Sequence, residues 1–334
     1  MNMNQWLTDL LARPDKKPFP VLSYPAVQFM DSTVKDIVPD GELQARCMKL
    51  VAEKTDSLAS VSFMDLSVEA ECFGAEVRYT QNEVPTVIGA LVTDMDEAEA
   101  LKVPAVGSGR SGVYIEAIQK AKELICDRPV FAGAIGPFSL AGRLVDVTEA
   151  MILCFEDPDM LKVVLDKATE FIIQYVKAFK KAGADGVVLA EPLAGMLSPK
   201  LCDEFSSVYV KKIREAVEDD SFLMIYHNCG NGTPYMTDSL LSTGVKAMHF
   251  GDAVDMESIL KLLPADVVAM GNISPSQQFV KGTPDSIREA TLTLLRKMSG
   301  YRNFVLSSGC DIPPHASWDN IFAFFKAYDE FNRA

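Results

Sequence analysis

The stretch "YHNCGN", Tyr226 to Asn231, places a histidine two residues before a cysteine. In an extended chain, residues i and i+2 project to the same side, so His227 and Cys229 can face one point while Asn228 turns away. The glycines that follow, Gly230 and Gly232, allow a sharp turn there. Alone, the pair fits two ordinary side chains in a turn as well as it fits part of a metal site. Cys310, in "SSGCDIPP", strengthens the metal reading, because it too stands beside a glycine just past a strand-like run. One imidazole and two thiolates form a soft-to-borderline donor set suited to Zn²⁺. Structural zinc sites close with four ligands and tightly spaced cysteine pairs. Here the cysteines are far apart and three strong ligands stand out, which is the pattern of a catalytic zinc with an open position. Glu191, Asp252 and His249 are candidates for a fourth ligand.

Other polar residues follow strand-like runs. Asp65 comes after "SVSFM", Glu191 and Pro192 after "GVVLA", and His249 sits near the end of "VKAMHF". Glu191 and Asp65 are the candidate catalytic carboxylates. Glu191 reads as a fourth ligand, a base behind the metal, or a buried structural carboxylate. Asp65 reads as a substrate-binding group or a cap for the next helix. His249 and His315 are near the same end, although a lone histidine is more often a hydrogen-bonded structural residue. The segment "GSGRSGVY" (107–114) lacks the lysine and spacing of a phosphate cradle and reads as a flexible loop over the mouth.

Positioning these residues requires a regular scaffold. Strand candidates are 60–64, 86–90, 129–135, 186–190, 222–227, 245–250, 266–271 and 303–308, with amphipathic helices such as 158–183 and 283–300 between them. Strand and helix alternating in this way imply a parallel sheet. About eight units in 334 residues, with no linker or composition break, predict a single (β/α)₈ barrel over residues 1–334, preceded by a helical extension over about 1–56. In that fold the chemistry sits where the strands end.

Composition narrows the function. The chain carries 32 basic and 46 acidic residues, a net charge of −14, with no basic cluster; nucleic acid is not an expected partner. No apolar run reaches the roughly 20 residues of a membrane span, and no secretory signal is evident at the start. Seven cysteines without such a signal point to free thiols in a reducing cytoplasm.

The stretches "FMDLSVEAECFGAEV" (63–77), "GAIGPFSLAGRL" (133–144), "GADGVVLAEPLAG" (183–195) and "YHNCGN" resemble the uroporphyrinogen decarboxylase superfamily from about residue 20 onward. His227, Cys229 and Cys310 match the His-x-Cys…Cys signature of its zinc-dependent methyltransferase branch. That resemblance implies Zn²⁺ as cofactor and a corrinoid, methylcobalamin, as co-substrate on a separate corrinoid protein. It also implies a small-molecule thiol or other heteroatom as methyl donor or acceptor, coenzyme M in methanogens. Two alternatives are a tetrapyrrole decarboxylase and a non-catalytic zinc- or tetrapyrrole-binding barrel. The decarboxylases hold their eight-carboxylate substrate with N-terminal arginines, whereas "FPVLSYPAVQFM" (19–30) contains none. Asp65 does match the decarboxylase aspartate that meets pyrrole N–H groups. Without the arginine clamps, so acidic a substrate suits this acidic chain poorly.

Overall fold

Alternating β-branched runs and amphipathic helices give a curled parallel sheet in the computed structural model, which describes residues 1–333. The strands are β1 (Ser60–Val61), β2 (Glu76–Arg78), β3 (Thr86–Ile88), β4 (Val130–Ile135), β5 (Gly186–Ala190), β6 (Leu223–Asn228), β7 (Ala247–Phe250), β8 (Val268–Ile273) and β9 (Phe304–Ser308). Seven of them pair in parallel in the order β1-β4-β5-β6-β7-β8-β9. The crossovers are helical. Pro158–Lys181 enters on the Asp157 side chain, which accepts from the Met160 N–H, and Thr283 caps Pro284–Met298.

The expected eight-stranded closure is only partly met. The run 86–90, expected to be a barrel strand, holds β3, which pairs antiparallel with β2 in a separate two-stranded sheet. Its residues are exposed or half-buried, so it has no two-sided apolar surface of the kind a central parallel strand needs. The gap between β9 and β1 is instead spanned by residues 18–23, inside the expected helical extension. The Phe19 N–H donates to the Leu306 carbonyl at 2.8 Å, and the Leu58 N–H donates to the Pro18 carbonyl at 2.8 Å. The Val21 N–H donates to Ser308 Oγ at 3.0 Å, and the Ser23 hydroxyl donates to the Val61 carbonyl. Pro18 and Pro20 have no N–H, so this segment cannot form a regular ladder and closes the gap partly through side chains.

Alternation along the strands sorts the core into two layers. One set, including Val188, Ala190, Leu223, Ile225, Ala247, Val268, Met270 and Val305, packs together inside the curl, and Met3, Leu7 and Leu10 of the helix Met3–Ala12 join it. The other parity, including Leu189, Tyr226, Met248 and Leu306, packs against the surrounding helices. Continuing the inner parity by one step gives His227 on β6, His249 on β7 and Ser307 on β9. Strand periodicity alone therefore puts these three polar residues on the inner face.

Candidate metal centre

His227 occupies the last inward position of β6, and Cys229 begins the loop after it. Cys310 lies just beyond β9. One ligating atom from each falls within 4.8 Å of the others, and Cys310 Sγ is 3.6 Å from His227 Nε2. Zinc bonds of about 2.3 Å to sulfur and 2.0 Å to nitrogen imply tetrahedral ligand–ligand separations near 3.5–4 Å. The donor set and its spacing therefore fit zinc with minor tightening. The thiols are coupled: Cys310 beside Cys229 draws the Cys229 pKa below the usual thiol value. Cys229 and burial push that of Cys310 up to about 12.

Close loop packing holds the cysteines in place. A Cβ on Gly251, after β7, would lie 2.5 Å from both Cα and Cβ of Cys229, so the two loops touch at a point that only glycine fits. Gly230 and Gly232, expected to make a tight turn, have ordinary negative φ. Their role is close approach, since a Cβ on Gly230 would sit 2.4 Å from the Gly195 Cα.

Behind the ligands, His227 Nδ1 is 2.8 Å from His249 Nδ1, and His249 Nε2 is 2.7 Å from Ser307 Oγ. His249 is fully buried. Burial, followed by its neighbour His227, holds its pKa well below the ordinary histidine value. His249 thus partners a candidate ligand and is not itself in the three-residue cluster. Asp252 is exposed and also outside it.

Neither candidate carboxylate joins the cluster. Glu191 is fully buried and turned to the N-terminus of the helix Pro137–Val145, where it accepts from the Phe138 N–H (3.0 Å) and the Ser139 N–H (2.6 Å). Burial pushes its pKa up to about 7. Asp65 accepts from the Ser67 N–H (3.0 Å) and hydroxyl (2.6 Å) with one oxygen, and from Arg110 and the Tyr114 hydroxyl (3.0 Å) with the other. Arg110 also donates to Glu71 at 2.7 Å. The segment 107–114 expected to be a flexible loop is therefore pinned by a buried ion network, and its second half begins the helix Ser111–Leu124.

The three candidate ligand residues line a cavity of about 670 Å³ whose apolar wall includes Met64, Leu66, Val84 and Val87. Glu191 and Asp65 are not among its lining residues, while Arg143, Arg78 and His315 are. Nothing local in the sequence ties these arginines to the candidate metal ligands. Arg143 is half-buried, and its side chain makes no hydrogen bond or ion pair among the described residues. Burial pulls its pKa below the ordinary guanidinium value, partly opposed by Asp65. No helix among the described residues is long and apolar enough to cross a membrane.

Comparison with known proteins places the chain among relatives of the same fold. Residues 22–331 match the family model for uroporphyrinogen decarboxylase (URO-D). The methylcobamide:CoM methyltransferase MtbA of Methanosarcina acetivorans is 28% identical over 308 residues, covering 88% of this chain and 89% of that protein. A uroporphyrinogen decarboxylase of Prochlorococcus marinus is 30% identical over 229 residues, 65% of this chain and 63% of its own length. Among solved structures, a methyltransferase from Methanosarcina mazei superposes with a TM-score of 0.86 at 27% identity, covering 98% of both chains. The chain belongs to the uroporphyrinogen decarboxylase family.

Proposed function

We propose that this protein is a zinc-dependent methyltransferase. It moves a methyl group between a corrinoid, carried by a separate corrinoid protein, and a small-molecule thiol or other heteroatom donor or acceptor. The observation that carries this reading is the convergence of His227, Cys229 and Cys310 on the wall of a cavity large enough for a small substrate. Similarity to methylcobamide:CoM methyltransferases along most of the chain supports it.

When bound, zinc supplies a Lewis acid that keeps a substrate thiol deprotonated at neutral pH, where a free thiol is only about 3% thiolate. His227, Cys229 and Cys310 would hold it and leave one position toward the cavity. The two protein thiolates add negative charge beside that position, which favours a nucleophilic sulfur. Arg143, without a protein partner, is placed to pair with an acidic group on the substrate, and Arg78 and His315 add donors on the same cavity. Met64, Leu66, Val84 and Val87 give the cavity an apolar wall for the non-polar part of a small substrate. Asp65 and Glu191 act from behind, as anchors of the loops after β1 and β5. The free cysteines suit a reducing, cytoplasmic setting.

The decarboxylase relatives raise the competing reading, but this chain offers their chemistry little. Both Asp65 oxygens are already engaged by Ser67, Arg110 and Tyr114, and residues 19–30 contain no arginine. Elemental analysis tests the proposal at its base. We expect one zinc per wild-type chain and substantially less in Cys229→Ser and in Cys310→Ser. Full zinc in both variants would show that the metal, if any, is held elsewhere.

A further inference from the structure

We propose that a buried hydrogen-bond relay, His227–His249–Ser307–Phe19 carbonyl, fixes His227 in the tautomer whose Nε2 lone pair faces the cysteines, making His249 a positioning residue for the metal. The inference rests on the zinc reading above for its purpose, but its geometry stands without a metal.

The polarity of the relay can be read from its far end. Ser307 Oγ hydrogen-bonds the Phe19 backbone carbonyl, which can only accept, so the serine proton is committed there. Ser307 Oγ must then accept from His249 Nε2 at 2.7 Å, which places the His249 proton on Nε2. A doubly protonated His249 would be an imidazolium with no exposed surface, and neither of its ring contacts is a carboxylate. Neutral His249 therefore offers Nδ1 as an acceptor. His227 must donate its Nδ1 proton across the 2.8 Å contact, which leaves Nε2 unprotonated, 3.6 Å from Cys310 Sγ. Each link is set by the one before it, starting from a main-chain carbonyl that cannot change role.

The path matters because it ends in the segment that closes the sheet. Phe19 lies between β9 and β1, and its N–H and carbonyl both bond to β9 residues, Leu306 and Ser307. His227 and His249 are cross-strand partners in the β6–β7 register, so no loop has to move to bring the rings together. The orientation of His227 is thus tied to the sheet and to the 18–23 closure, not to the loops that follow the strands.

Two readouts test the relay. In metal-free wild-type protein, long-range ¹⁵N–¹H NMR should show His227 protonated on Nδ1 and His249 on Nε2. The opposite tautomer at His227 would overturn the proposal whether or not zinc binds. In competition titrations with Zn²⁺ and Co²⁺, His249→Leu and Ser307→Ala should each weaken binding about 10- to 100-fold. His249→Asn, whose side-chain carbonyl can accept from His227 Nδ1, should recover most of the loss. Wild-type affinity in folded His249→Leu would refute the relay while leaving the zinc site intact. Absence of zinc binding in the wild type would instead count against the proposed function.

Discussion

Replacing Arg110 with leucine separates an anchoring role for Asp65 from a catalytic one. The Arg110 side chain is 8% exposed and that of Asp65 is fully buried, so the substitution strands a carboxylate inside the protein. Breaking such a pair typically costs about 3–5 kcal/mol. Asp65 would keep Ser67 and Tyr114 as donors, and Glu71 would keep the Tyr79 hydroxyl, which favours the lower end, about 3 kcal/mol. For a chain of this length that is a fall in Tm of roughly 4 °C. In a double-mutant cycle, Asp65→Asn with Arg110→Leu should lose less than the sum of the single changes, with a coupling of about 2 kcal/mol. Urea unfolding and thermal melts give these values, and zinc content should stay at the wild-type level because neither residue belongs to the ligand cluster. A change under 0.5 kcal/mol in Arg110→Leu would refute the anchoring argument. So would an Asp65→Asn protein of wild-type stability that had lost turnover, since that result makes Asp65 catalytic.

Two more outcomes follow from the packing and the buried carboxyls. Gly251→Ala, which never touches the metal, should weaken zinc binding about 10-fold or more by displacing Cys229; a competition titration checks it. Burial raises Glu69 and Glu191 from 4.5 to about 7 in the folded chain, so each favours the folded state fully below about pH 4.5 and loses that advantage as pH rises toward 7. Each contributes on the order of 3 kcal/mol to that decline. The urea midpoint should therefore drop between pH 5 and pH 8, and less steeply in Glu191→Gln.

Much of the site was legible before folding because it depends on local rules. The i, i+2 spacing of His227 and Cys229 on a strand end is a property of extended backbone, and Cys310 stands out among the seven cysteines by its place beside a glycine just past a strand-like run. Seven of the eight strand candidates form the parallel sheet, since buried parallel strands read as near-continuous apolar runs. What was not legible depends on partners distant in sequence. The run 86–90 has a strand's composition, but the residues that could bury both its faces are missing. Residues 18–23 fall within the expected helical extension, and only contacts with β9 and β1 reveal their place in the sheet. Glu191 follows a strand as a catalytic group would, yet the N–H groups of Phe138 and Ser139 engage both its oxygens. Arg143 sits within a stretch that marks the family, but its side chain's lack of a partner appears only in three dimensions.

The visible spectrum of methylcobalamin, free or on a corrinoid protein, tests the central claim most directly. It would be followed with coenzyme M and a panel of acidic thiols, for wild type, His227→Ala and zinc-stripped protein. The account predicts conversion of the Co–CH₃ spectrum to that of Co(I) with the wild type alone, restored to the stripped protein by added zinc. Equal rates in all three would contradict it. So would a wild-type enzyme inert toward every methyl acceptor that instead converts uroporphyrinogen to coproporphyrinogen, which would return this chain to decarboxylase chemistry.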